Sequence, residues 1–321
     1  MTTLKLTRFA MACEFEIVLS GTDPASLEDA ASWALDEVES LDQQLSAYNP
    51  ASEVSYVNAH AAREPVQVDP GLFAVLALGK QVAADTDGAL DITAGPLIAL
   101  WRNAESSGIM PGEDAIRAAR DKAGMRHLVL DETRNTVRFE RDGLQINLGS
   151  IGKGFAVQRA AQILRDCGVE HALVHGGRST VCAFGSSPGG DGWNVGIRHP
   201  DRFDKRAATL TLRHESMSTS GGVAQRDERT TEQFEHIIDP STGIPVENDL
   251  ASVTVVTADA AAADALSTAF YVRGEDFAAD YCRDHPDVGA IFIKCGEYGT
   301  KLETTTAGTR TDLSSRPGGE L

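Results

Sequence analysis

Residues Gln145-Ile146-Asn147-Leu148-Gly149-Ser150-Ile151-Gly152-Lys153-Gly154 lead straight into an apolar helical pattern. A short strand that enters a glycine-rich turn and opens a helix exposes backbone N–H groups at the positive end of a helix dipole. That arrangement suits phosphate. Lys153 adds a mobile point charge for the same ligand. The spacing is not that of a P-loop NTPase, because Gly149 and Gly152 stand too close and Gly154 follows the lysine. The alternative reading is a tight strand-to-helix turn carrying an exposed lysine.

Four further segments hold residues of chemical interest. His236-Ile237-Ile238-Asp239-Pro240-Ser241-Thr242-Gly243 sets a histidine between a charged loop and an apolar pair, a placement suited to a general base or a phosphate ligand. Asp239 there also has the simpler role of turn initiator. In Ala263-Asp264-Ala265-Leu266-Ser267-Thr268, helical spacing puts Asp264, Ser267 and Thr268 on one face. One carboxylate and two hydroxyls make a hard-oxygen array suited to Mg²⁺, and the plainer alternative is an exposed polar face. The glycines of Asp87-Gly88-Ala89-Leu90-Asp91-Ile92-Thr93-Ala94-Gly95-Pro96-Leu97 bracket a short extended stretch where backbone can approach a flat ligand. Tyr48, within Ser46-Ala47-Tyr48-Asn49-Pro50 and upstream of Ser52-Glu53, stands at a helix end where it can stack on an aromatic ring or cap the core.

The elements that position these residues follow from periodicity. Phe15–Leu19 reads as a strand. Asp23-Pro24 starts a long amphipathic helix with Leu27, Ala31, Ala34, Val38, Leu41 and Leu45 inward, ending near Tyr48-Asn49-Pro50. A second helix covers Pro70 to Thr86. Residues 102–114 read as a loop and 114–123 as a short helix. His127–Leu130 and Thr136–Phe139 form a hairpin. Strand 145–148 feeds helix 155–167, which stops at Gly168. Ala172–Val174 is a strand ending at Gly176-Gly177, with further strands near 192–197, 207–213 and Ser252–Thr257. The charged loop 221–235 is expected to be a mobile flap. A helix runs from Asp259 to about Val272. Helices and strands mix without a βαβ rhythm, which predicts an α+β fold. Residues 1–302 are expected to form the folded domain and 303–321 a polar, disordered tail.

At 321 residues the chain is long enough for one large domain or two packed ones, and 42% hydrophobic content allows a sizeable core. A formal charge of −18 argues against a nucleic-acid surface and against anionic membrane. Met1 to Cys13 lacks the apolar core of a signal peptide, and no stretch matches the ~20 apolar residues of a membrane span. A cytoplasmic location without membrane insertion is therefore expected. The five cysteines are scattered, odd in number and without C-x-x-C, so neither a disulfide framework nor a zinc site is expected.

In this order and at these separations, the segments resemble the ApbE family, the FAD:protein FMN transferases. Met11-Ala12-Cys13 matches the family's Met-Gly-Thr. Ser46, Tyr48, Ser52 and Glu53 match its Ser-x-Tyr and Ser-Glu. Gly88 through Trp101 match Gly-x-x-Asp-x-Thr-x-Gly-Pro-Leu and its tryptophan. Gly152 to Ala156, Gly176-Gly177, His236 to Gly243 and Ala263 to Thr268 supply the remaining motifs. The resemblance covers roughly residues 9–295. It implies mixed sheets with flanking helices and an FAD cleft between two intimately packed subdomains. It implies an FAD site lined by Met11, Tyr48, Ala89, Leu90, Asp91, Asn147, Lys153 and His236. It implies Mg²⁺ (or Mn²⁺) held by the Ser150 carbonyl, Asp264 and Thr268, with position 267, here Ser267, a ligand in some members. Lys153 and His236 then serve catalysis. The implied reaction passes FMN from FAD to a Ser or Thr hydroxyl of an acceptor protein bearing a flavinylation motif and releases AMP. FAD hydrolysis to FMN and AMP, and flavin binding without chemistry, are the competing readings. The chain departs from the family pattern at Ala12, Cys13, Asn147, Gln158 and Ser267.

Overall fold

The computed structural model describes residues 2–200, 202, 204–221, 237–295 and 302–308. The first half of the chain contains β1 (Thr2–Ala10), β2 (Cys13–Gly21), α1 (Pro24–Leu45), α2 (Glu53–His60), β3 (Val66–Gln67), α3 (Pro70–Asp85), α4 (Gly95–Ser107), α5 (Glu113–Arg120), β4 (Leu128–Asp131), β5 (Thr136–Phe139) and α6 (Gly152–Asp166). The second half contains β6 (His171–Gly176), β7 (Thr180–Phe184), β8 (Trp193–Arg198), β9 (Arg206–Leu212), β10 (Glu215–Ser220), β11 (Ile238–Asp239), β12 (Ile244–Pro245), β13 (Leu250–Thr257), α7 (Ala260–Arg273), α8 (Glu275–Asp284), β14 (Gly289–Cys295) and β15 (Leu302–Ala307).

These elements form two compact units. One comprises Met1–Ser40, Lys153–Thr231 and Asn248–Leu321, and the other Leu41–Gly152 with Glu232–Glu247. The first is built on an eight-stranded sheet in the order β1-β2-β6-β7-β10-β13-β14-β15. Every neighbouring pair in it is antiparallel. Helix α7 packs on β7, β10 and β13. The β8–β9 hairpin covers the opposite face, where Trp193, Ile197, Leu210 and Leu212 meet Val181, Met217, Val256 and Ile291. With both faces covered, β13 is buried along its whole length, its Ser252, Thr254 and Thr257 included. The second unit holds α2 to α5, the small sheet β3-β5-β4 and the β11–β12 pair.

The helices start where local chemistry satisfies their first N–H groups. The Asp23 carboxylate accepts from Ala25 N, that of Asp69 from Gly71 N, and that of Asp259 from Ala262 N. Ser52 caps α2 through Ser55 N.

The all-antiparallel sheet agrees with the α+β expectation, but several elements differ from their sequence reading. Residues 102–107 are not loop; they are the last turns of α4, which opens at Gly95-Pro96 and stops at Gly108 with φ +69°. The polar run Arg102-Asn103 and Glu105-Ser106-Ser107 is the solvent face of that helix, with Ala104 buried beneath it. Residues 145–148 are not a ladder strand. Gln145 makes one parallel bridge to Ala94, and Ile146 is bonded on both sides of its peptide by the Asn58 side chain, whose amide stands in for a neighbouring strand. Residues 303–307 are not tail; they pair with β14 as an edge strand rich in Thr, a good strand former. Residues 309–321 and most of the 221–235 loop lie outside the described residues. Strands β1, β7, β10 and β14 have no counterpart in the sequence reading.

Candidate active site

Asp264 is a buried carboxylate of the first unit held by three hydrogen bonds. It lies on α7 and is only 6% exposed. Its Oδ2 accepts from the backbone N–H of Gly154 at 2.9 Å, in the first turn of α6. Its Oδ1 accepts from Ser218 Oγ at 2.8 Å and from Thr180 Oγ1 at 3.3 Å. Gly154 permits the approach: a Cβ there would sit 2.3 Å from the Ala260 carbonyl oxygen and 2.6 Å from the Asp264 Cβ. The glycine after Lys153 is therefore demanded by helix contact. A carboxylate has about four acceptor positions, three are filled here, and one on Oδ2 is left.

Beside Asp264 the described side chains offer hydroxyl oxygen. Ser220 Oγ lies 2.8 Å from Ser267 Oγ and 3.1 Å from Thr268 Oγ1. Ser267 is fully buried and donates to the Asp264 carbonyl at 2.9 Å, whereas Thr268 is half-buried. Among the described residues no three His, Cys, Asp or Glu gather as a metal cluster, and no Lys or Arg pairs with Asp264. One buried anion among hydroxyls fits a hard cation that completes its shell with carbonyl, water or phosphate oxygens. Mg²⁺ and Mn²⁺ are such ions. Gln158, one of the departures from the family pattern, accepts from Ala260 N at 3.0 Å. It caps α7, so its amide supports the helix that carries Asp264.

Lys153, in the first turn of α6, is held by Ser179, whose Oγ accepts from its Nζ at 2.8 Å. Ser179 closes the turn between β6 and β7. Gly176 and Gly177 precede it, and each is packed from outside: a Cβ on Gly176 would meet the Phe15 ring at 2.8 Å, and one on Gly177 the Cys13 sulfur at 3.0 Å. The Gly-Gly motif thus seats the β6–β7 turn against β2. Met11 lies at the tip of the β1–β2 hairpin, where it and Ala12 take φ +49° and +57°. This two-residue turn favours Asn-Gly, and two side chains hold it in a left-handed conformation.

The turn before α6 differs from the expected phosphate nest. The N–H of Gly149 is taken by Asn147 Oδ1, those of Ile151 and Gly152 by the Leu148 carbonyl, and that of Gly154 by Asp264. Among the described residues of this turn, the N–H groups of Leu148, Ser150 and Lys153 have no acceptor. Lys153, rather than a ring of amides, is what this turn presents to an anion. Ser150 is half-exposed.

In the second unit Tyr48 is 62% exposed, with the Arg102 guanidinium 4.2 Å over its ring centroid. Asn147 Nδ2 donates to the Tyr48 hydroxyl at 3.0 Å. Both residues line a cavity of about 390 Å³ whose walls include Asn58, Gly95, Ile98 and Ala99. Ala89 and Leu90 are buried, so their side chains belong to the core of this unit. Asp91 is fixed by Thr93, whose N–H and Oγ1 donate to Oδ1 at 2.7 and 2.5 Å. Burial pushes the Asp91 carboxyl above its ordinary pKa against the pull of those bonds and of Arg126. Asp239 initiates its turn as expected, accepting from Ser241 N at 2.8 Å. The Trp101 indole donates to the Gly243 carbonyl at 2.8 Å and ties that turn to α4. His236 lies outside the described residues.

Ser179, Thr180, Ser218, Ser220 and Arg102 were not found in the sequence. The one available signal is the period-2 run Ser216, Ser218, Ser220 in β10, which places hydroxyls on one face of a strand.

Comparison with known proteins adds to this geometry. The ApbE family model matches residues 11–292. The chain belongs to the ApbE family. The FAD:protein FMN transferase of Treponema pallidum is 34% identical over 278 residues, spanning 81% of this chain and 76% of that one. The FAD:protein FMN transferase of Escherichia coli K12 is 30% identical over 252 residues, or 77% and 72% of the two chains. Among solved ApbE structures, the flavin transferase of Vibrio cholerae superposes with a TM-score of 0.80 at 26% identity, covering 95% of this chain and 97% of that one. The ApbE protein of Thermotoga maritima does so with a TM-score of 0.81 at 28% identity and the same coverage. The mixed helix-and-sheet architecture is thus the ApbE fold.

Proposed function

We propose that this chain is an FAD:protein FMN transferase that uses Mg²⁺ or Mn²⁺. FAD is the substrate. The oxygen of an acceptor Ser or Thr bonds to the FMN-side phosphorus, the bond from that phosphorus to the bridging oxygen breaks, and AMP departs with that oxygen. The hydroxyl proton passes to a base, a role assigned to His236 from its sequence motif. The observation that carries the proposal beyond family membership is Asp264, a buried carboxylate with one vacant acceptor position beside half-buried Thr268.

Asp264 and Thr268 would hold the metal, and Ser267 orients its neighbours by bonding Ser220 and the Asp264 carbonyl. When bound, the ion supplies charge neutralisation on phosphate oxygens. Lys153 brings a cation to the same phosphates, and Ser179 keeps its ammonium group from swinging away. Tyr48, steadied by Asn147 and backed by Arg102, offers a flat surface for an aromatic ring. Met11 and Asp91 complete the FAD-binding assignment.

The test is incubation with FAD and Mg²⁺, with and without an acceptor domain carrying a single flavinylation motif. AMP and acceptor mass are both followed. AMP together with an FMN-sized mass gain establishes the transferase. AMP and free FMN without a mass gain points to a hydrolase. Tight FAD binding without AMP points to a flavin-binding protein.

A further inference from the structure

We infer that a pocket bordered by Ser179 and the β8–β9 hairpin seats the acceptor polypeptide, an inference that rests on the transferase reading above. Val195 and Ile197 of β8 form one wall, and Val181, Met217 and Ala251 of the sheet form the floor. The enclosed space is about 50 Å³. A water needs ~10–15 Å³ on this measure, so there is room for one small branched aliphatic side chain.

Ser179 places this pocket next to the chemistry, within the same unit: it lines the pocket and holds the Lys153 ammonium group. Thr219 lines it from the sheet face opposite Ser218 and Ser220, which bond Asp264, Ser267 and Thr268 on the α7 side. A chain anchored here therefore reaches the phosphate-binding lysine around the β6–β7 turn. Tyr48, Asp91 and Asn147, assigned to FAD, belong to the other unit and do not line it.

The rim is basic. Arg178 and Arg198 border the opening of a protein whose formal charge is −18. Arg178 is exposed at the tip of the β6–β7 turn with φ +60°, a conformation that Asn or Gly adopts at lower cost. Among the described residues it has no ion-pair partner. A cation kept at a strained tip, over an apolar floor, suits an extended peptide with a carboxylate and a small aliphatic side chain near its Ser or Thr. Charge complementarity selects that partner, because most of this surface repels acidic chains.

The test uses synthetic peptides with one Thr, a Val and an Asp nearby, a second version with Lys in place of Asp, and a third with Trp in place of Val. FMN transfer is read by mass and FAD cleavage by AMP release. The wild-type chain is expected to show a KM about tenfold lower for the Asp peptide than for the Lys or Trp versions. Arg178→Asn, which suits the left-handed turn, should raise KM for the Asp peptide about tenfold with kcat within about twofold, and Arg178→Glu should favour the Lys peptide. FAD affinity, read from flavin fluorescence, serves as the control and should stay constant. Equal KM values across peptides, or a KM unmoved by either Arg178 variant, would overturn the acceptor site alone, whereas AMP release without transfer to any peptide would point to the hydrolase instead. No AMP in any tube would overturn the transferase reading itself.

Discussion

Replacing Asp264 by Ala and by Asn should separate its two roles. The Ala variant removes three hydrogen bonds to a buried anion. Ser218 and Thr180 still bond each other at 3.0 Å, but the Gly154 N–H loses its acceptor. Breaking such a buried charged cluster costs about 3–5 kcal/mol. Asn keeps the shape. Its carbonyl can accept from Gly154, its NH₂ can donate to Ser218, and the Ser218 hydroxyl can turn to Thr180, which leaves only the Thr180 hydroxyl proton without an acceptor. The remaining cost, from that proton and the loss of charge assistance, is about 2 kcal/mol. At roughly 2 °C per kcal/mol for a chain of this size, the Ala protein should melt about 6–10 °C below wild type and the Asn protein about 4 °C below. Saturating Mg²⁺, at about 100 times Kd, should stabilise wild type by about 2.7 kcal/mol and neither variant. Both variants should release AMP from FAD at a small fraction of the wild-type rate. Differential scanning fluorimetry with and without the ion, paired with an AMP assay, reads all of this. An Asn variant that melts with the Ala variant refutes the hydroxyl rearrangement. An Asn variant that keeps the metal-induced rise refutes the carboxylate as ligand.

Three further outcomes follow from the same geometry. Ala12→Gly relieves a left-handed alanine in the β1–β2 turn and should stabilise the chain by about 0.5–1 kcal/mol in denaturant melts, after the entropy of glycine is counted; a loss of stability would show that the turn is not strained. Because burial raises the Asp91 carboxyl, the folded state binds more protons than the unfolded one between the ordinary Asp pKa and the raised value, so stability falls as pH rises through that window. Asp91→Asn should therefore be more stable than wild type at pH 7, with the advantage vanishing below the unfolded pKa, and a difference independent of pH would count against it. Burial pushes the Cys282 thiol up to about 11 and the Cys182 thiol also upward, so in the native protein at pH 8 iodoacetamide should modify half-buried Cys13 and Cys167 and spare these two; mass spectrometry of labelled peptides checks the order.

The parts that were legible in the sequence are those where local pattern and tertiary need coincide. Asp23-Pro24 and Asp69-Pro70 start helices by capping, and Leu128–Asp131 with Thr136–Phe139 forms the expected hairpin. The ordered motif set led to the ApbE family, which the comparisons then established. Strand β10 was illegible because Glu-Ser-Met-Ser-Thr-Ser looks like loop. Its serines turn inward, Ser216 and Ser218 fully, because Ala258, Asp264 and the α7 hydroxyls give each one a partner. The end of α4 was illegible because its polar residues face water, although Pro96 at a helix start was a usable signal. The segment 145–148 looked like a strand because its apolar residues alternate, and only the Asn58 side chain, distant in sequence, reveals what completes its bonding. The turn before α6 announced its glycines but not that its own backbone would consume most of its N–H groups.

The division of the chain bears on how it emerges from the ribosome. The unit spanning Leu41–Gly152 interrupts the other one between β2 and β6, which pair Phe15 with Gly176 and Ser20 with His171. During synthesis β1 and β2 pair at once and then wait, with one edge open, until the whole intervening unit has left the tunnel. The intervening unit can collect most of its own contacts first, lacking only the short segment around Gly243 that Trp101 later grips. Slow non-local strand pairing is where nascent chains aggregate. The waiting hairpin presents Lys5 and Arg8 on β1 and Glu14 and Glu16 on β2, and charge along an open edge discourages pairing with a stranger. The order of synthesis thus makes that early hairpin a guarded template on which the later strands are laid.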